Sequence, residues 1–89
     1  MSHLAKDIRR VASSDGAIVL NLRRGTMLRV NPTGSRILEL LDENTLPDEI
    51  VERLSAEFGI GREVLEPDIA DFLESLRAHG VLDRHPANL

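Results

Sequence analysis

The sequence predicts an α+β domain of the winged-helix type, with a three-stranded antiparallel sheet followed by three helices. Three observations carry this. Apolar residues recur with period two before Asn31 and at helical spacing after it. Turn-forming residues cluster at Ser13–Gly16 and at Arg23–Gly25, which divides the first part into short segments. The whole chain has 89 residues, enough for one domain and no more. That domain is expected to fill 1–89, with its core over about 7–84.

The first strand is expected at Ile8-Arg9-Arg10-Val11. Ser13-Ser14-Asp15-Gly16 then turns the chain, because Asp and Gly tolerate turn backbones. The second strand spans Ala17 to Leu22 and places Ile18, Leu20 and Leu22 on one face. Gly25 permits a positive φ at the next reversal. The third strand is Thr26 to Val30, with Leu28 and Val30 facing the core and Met27 and Arg29 facing the other way.

Asn31 is a good helix N-cap and Pro32 a good first helical residue. Ile37, Leu38, Leu40 and Leu41 form the apolar stripe of the first helix. A second helix is expected from Thr45, capped by the pair Thr45 and Asp48, and carrying Ile50, Val51, Leu54 and Phe58. Gly59 is its expected stop. The third helix runs from about Arg62 to His79 with a stripe of Leu65, Ile69, Phe72, Leu73 and Leu76. Pro67 is expected to loosen its first turn, since proline lacks a donor and clashes with the carbonyl four residues back. Val81 and Leu82 return to the core. The second and third helices, joined by Gly59-Ile60-Gly61, have helix-turn-helix order.

Composition narrows the function classes. There is no cysteine, so disulfides and thiolate metal sites within the chain are excluded. Apolar runs are too short to span a bilayer, and a cytoplasmic, non-membrane protein is expected. His3, His79 and His85 show no zincin-like spacing, and Ser13-Ser14 has no histidine nearby in sequence. No nucleophile with an orienting base is legible, so no enzyme, no cofactor and no metal are expected.

Charge is divided along the chain. Residues 1–40 hold seven Lys and Arg against three Asp and Glu; residues 41–89 hold four against twelve. The surplus is thus four positive, then eight negative, which gives the net charge of −4. Between Arg62 and His79 there are five acids and two bases. A recognition helix of that charge would be repelled by phosphates. Nucleic acid is therefore not the expected partner, although a winged-helix DNA-binding regulator is the alternative that the helix order keeps open. A structural protein–protein assembly module is the other.

An open sheet edge remains. An outer strand presents unpaired backbone groups that recruit an extended peptide, with alternate side chains dropping beside it. If the third strand is that edge, the third helix walls the adjacent groove.

Several stretches resemble the PqqD family, named for a pyrroloquinoline quinone synthesis protein. They are Asp15-Gly16 through Asn31-Pro32-Thr33-Gly34, Ile37-Leu38-Glu39-Leu40-Leu41, Thr45 through Leu54, and Asp68-Ile69-Ala70-Asp71-Phe72-Leu73 with Leu76 and Gly80-Val81-Leu82. The resemblance covers about residues 7–84. It implies the recognition element of ribosomally made, post-translationally modified peptides: a non-catalytic chaperone that binds a precursor's leader and presents it to a modifying enzyme. That enzyme would be a leader peptidase, a cyclase or a radical enzyme. At the turn before strand three this chain has Arg23-Arg24-Gly25, where quinone-synthesis members carry Pro-Glu-Gly. A stand-alone recognition protein for another product, such as a lasso peptide, is the expectation. The implied peptide site is Thr26, Met27, Leu28, Arg29 and Val30 on the strand. Leu65, Asp68, Ile69, Phe72 and Leu76 are the implied site on the helix. Arg29 would pair with a leader carboxylate, and Asp68 or Asp71 with a leader base or backbone donor.

Overall fold

The computed structural model describes residues 3–82. His85 and the last two residues of the expected core, 83 and 84, lie outside them. Six elements follow in order: β1 (Ile8–Ser13), β2 (Gly16–Asn21), β3 (Thr26–Val30), α1 (Pro32–Asp42), α2 (Pro47–Phe58) and α3 (Arg62–Ala78). The sheet is antiparallel in the order β1-β2-β3, so β1 and β3 are its edges.

β1 is two residues longer than the apolar pattern suggested, because Ala12 and Ser13 still pair with Ala17 and Gly16. Gly16 has φ +136, and a side chain there would overlap the Val30 carbonyl oxygen. Only glycine allows β3 to lie this close. The apolar row Ile18, Leu20, Leu22 does share a face, but it is the face away from the helices. The buried positions of β2 are Gly16, Ala17, Val19 and Asn21. On β3, Val30 is buried and Leu28 half-buried against the core, opposite Ala17 and Val19. Met27 and Arg29 are exposed on the outward face, as the alternation requires.

Asn31 caps α1, its Oδ1 accepting from the Gly34 amide at 2.8 Å. Ile37, Leu38, Leu40 and Leu41 are buried. The expected Thr45–Asp48 cap does not form. Thr45 is buried, and the helix starts one residue later, with Pro47 first and the Glu49 carboxylate accepting from the Leu46 amide at 3.5 Å. Ile50, Val51 and Leu54 are buried, whereas Phe58 is 45% exposed at the helix end. α2 stops at Gly59, which is left-handed at φ 66. α3 runs unbroken through Pro67. Glu63 Oε groups and the first-turn carbonyls lie in an exposed stretch, so the carbonyl that loses its partner to proline can be solvated. Val81 and Leu82 join the core, and Leu82 bridges to Leu4, tying both ends of the described chain together.

Candidate peptide-binding edge

β3 offers an unpaired edge on one side and pairs with β2 on the other. Two anchors set α3 beside it. At the Val30 end, Gly34 lacks a side chain where the Phe72 ring approaches: a Cβ there would stand 3.0 Å from Phe72 Cζ and 3.1 Å from Val30 Cβ. At the Thr26 end, the hairpin grips the C-terminus of α3. Asn21 is 6% exposed and uses both ends of its amide. Its Oδ1 accepts from the Arg23 and Arg24 amides at 3.1 Å, and its Nδ2 donates to the His79 carbonyl at 3.0 Å. Arg24 Nη1 donates to the Ala78 carbonyl at 3.1 Å, with its guanidinium lying over Gly80. These bonds satisfy carbonyls that a helix end leaves without partners, and a cation there suits the helix dipole. Together the anchors place β3 and α3 side by side in opposite directions.

The ten sequence-derived residues fall into three groups. Thr26, Met27, Arg29 and Asp68 are exposed, and Asp71 beside them is exposed too. Leu28 and Phe72 are half-buried, packed against the core with one side free. Val30, Leu65, Ile69 and Leu76 are buried, with Leu76 fully so. The side chains of these four belong to the core cluster and have little surface to give a ligand, although Val30 keeps its backbone on the β3 edge. Sequence reasoning missed Asn21, Arg24 and Gly34. The helix-end carbonyls that Asn21 and Arg24 bind lie more than fifty residues away in sequence, where no local pattern signals them.

Two concavities lie elsewhere. One, about 540 Å³, lies along the β1 edge and α1, among residues such as Ile8, Arg10, Ala17 and Glu39. The other, about 580 Å³, lies under the β2–β3 hairpin between Lys6, Arg23, Arg77 and Leu82. Neither includes β3 or Phe72, so an occupant of β3 would be held by its backbone and a shallow apolar seam. Arg36 bridges α1 to α2, donating to Glu57 at 2.7 Å. Hydrogen bonding to that guanidinium holds the Glu57 carboxyl below its ordinary range, and the carboxylates hold Arg36 above its own. This strut stands apart from the β3 edge.

The sequence matches the family described as Coenzyme PQQ synthesis protein D (PqqD) over residues 16–82. That span runs from β2 through the end of α3 and into the returning Val81 and Leu82. The chain belongs to the PqqD family. No curated protein matches it in sequence. Among solved structures, the PqqD-family chain is similar to TbiB1 in complex with the TbiA(beta) leader peptide, with a TM-score of 0.85 and 32% identity over 93% of this chain and 95% of that one. It is also similar to a lasso peptide synthetase B1 complexed with the leader peptide, with a TM-score of 0.78 and 27% identity over 88% of this chain and 92% of that one. Both similarities cover sheet and helices together, so the strand-first order with three helices after it is the fold of these PqqD-like proteins. No helix among the described residues is long and apolar enough to cross a membrane.

Proposed function

We propose that this chain is a leader-peptide recognition protein. It binds the leader of a ribosomally made precursor as a strand antiparallel to β3 and presents it to a modifying enzyme, without catalysing a step itself. The observation that supports this most directly is the near-complete match to a protein solved with its leader peptide, coupled to an open β3 edge walled by α3. Backbone hydrogen bonds to β3 would give affinity with little sequence preference. Selectivity would come from the seam between Leu28 and Phe72, where both side chains keep a free side. Arg29 would meet a leader carboxylate, and Asp68 or Asp71 a leader base. The acids exposed along α3 disfavour duplex DNA as the occupant.

Chemical-shift mapping tests this with the synthetic leader of a candidate precursor, to be sought among the genes flanking the chain's own. Amides of Thr26–Val30 should move, and alternate ones should gain exchange protection as a new strand pairs. The Phe72 ring protons should move as well. Mass spectrometry should find the full precursor unchanged after incubation with this chain alone. Perturbations confined to α1 or to the Gly59–Gly61 turn, with β3 silent, would mean that the surface is wrong.

A further inference from the structure

The sheet has a second face, turned away from the helices, on which Ile18 and Leu20 are half-buried and Val11 and Met27 exposed. Strand register orders that face into two rows. One is Arg9, Leu20 and Met27; the other is Val11, Ile18 and Arg29. Four apolar side chains therefore sit together, with an arginine at each of two diagonal corners. Met27 is 63% exposed and Val11 53%, and Leu22 extends the apolar surface past the first row at 56%. Placing aliphatic groups there costs solvation and contributes nothing to the core, which is the mark of a surface that is covered in use.

The arginines give the occupants their charge. Six arginines of the described residues have a carboxylate partner: Arg10, Arg23, Arg36, Arg53, Arg62 and Arg77. Arg9 does not, and its guanidinium donates only to the carbonyls of Ile8 and Lys6. Arg29 likewise has no carboxylate partner among the described residues. A guanidinium meets a carboxylate with two parallel hydrogen bonds, which fixes orientation as well as charge.

We infer that this outer face, the apolar ridge of Val11, Ile18, Leu20 and Met27 with Arg9 at its β1 corner, docks the modifying enzyme through apolar contacts and a carboxylate that meets Arg9, while Arg29 at the opposite corner is left to the leader. The inference rests on the leader-binding reading, because β3 belongs to both surfaces. Its edge and Arg29 take the leader while Met27 belongs to the docking face, so an added leader strand widens that face by one strand. A second copy of this chain fits poorly, since face-to-face pairing would oppose arginines with no acid between them. A lipid surface fits poorly too. The chain has no Trp or Tyr to anchor at an interface, and two cations are few for holding a protein on anionic lipid.

The test uses the modifying enzyme that acts on the precursor this chain binds, immobilised for interferometry, with the full chain as analyte. Val11→Asp and Arg9→Glu lie on β1, away from the leader edge. Each should weaken enzyme binding at least about tenfold. Leader affinity of the same variants, read by fluorescence anisotropy, should stay within about twofold, since neither touches β3's open edge. Enzyme affinity unchanged in both variants overturns the inference. A wild-type dimer that Val11→Asp dissolves, or binding to phosphatidylglycerol vesicles that Arg9→Glu abolishes, overturns it in favour of another occupant. Should either variant misfold by circular dichroism, a photo-crosslinking amino acid at Val11 replaces it, with one at exposed Ala56 on α2 as control. Crosslinks to the enzyme from Val11 alone support the inference, and none from Val11 overturns it. A wild type that binds leader but no enzyme loses this inference alone; one that binds enzyme but no leader loses the leader reading and leaves the docking face standing.

Discussion

Asn21 does more than its place at a strand end requires. A buried amide is tolerated only when its donors and acceptor are used, and here one side chain satisfies two loop amides and a helix-end carbonyl at once. It therefore couples the local shape of the Arg23–Gly25 turn to the position of α3. Asn21→Ala would strip those groups of their partners at a position only 6% exposed. The expected loss is about 2 kcal/mol, from the unmade bonds of the groups left behind. Urea unfolding should show a lower midpoint with an unchanged slope. Asn21→Asp is the sharper control. It keeps the acceptor for the two amides but loses the donor, and turns a carboxylate oxygen toward the His79 carbonyl. It should be destabilised at about pH 7 and recover partly in acid, when the group is protonated and can donate again.

At the scale of elements, α3 carries a visible cost in Pro67. The ring leaves the Glu63 carbonyl without its helical donor, yet the helix continues because this happens in an exposed opening turn. Pro67→Ala restores the bond and should stabilise the domain by about 1–2 kcal/mol, after subtracting the chain entropy that proline removes from the unfolded state. A midpoint no higher than wild type would show that the ring is packed usefully. Periodicity made α1, α2 and α3 legible, since Leu38, Leu54 and Leu76 recur on faces that have nowhere to go but inward. It also located β3 and the edge beside it. It said nothing of which β2 face is buried, because Ala17, Val19 and Asn21 are a less apolar row than Ile18, Leu20 and Leu22. The inward row is set by the tight approach to α1 and by Asn21's bonds, neither of which is a periodic property. The Thr45 cap failed for a similar reason. Thr45 is drawn inward, its amide donating to the Leu40 carbonyl at 2.9 Å, so the start passes to Leu46 and Pro47. Which groove residues are accessible was also out of reach, since a stripe does not show that Leu65, Ile69 and Leu76 lie beneath Phe72.

For the whole molecule, charge and topology divide the labour between partners. The basic first part of the chain forms the sheet, and the acidic second part forms α2 and α3. A leader seated between β3 and α3 would face Arg29 on one side and Asp68 and Asp71 on the other, so it meets both signs. A duplex laid on α3 would meet mainly carboxylates. These two ligands should thus differ in their effect on stability, and one measurement separates them. A ligand that binds only the folded state at about a hundred times its dissociation constant adds about 2.7 kcal/mol. In a domain of this size that raises the melting temperature by roughly 10–20 °C. The leader should produce such a rise at physiological salt, and modest changes in salt should alter it little, because its contacts are mostly backbone and apolar. Mixed-sequence duplex DNA at the same concentration should leave the transition where it is. The size of the leader's rise should fall in Arg29→Glu, whose side chain is exposed and whose own fold should be intact. A rise with duplex that shrinks steeply as salt increases would be the signature of phosphate contacts. It would assign the basic strands, and not the β3 edge, as the working surface of the molecule.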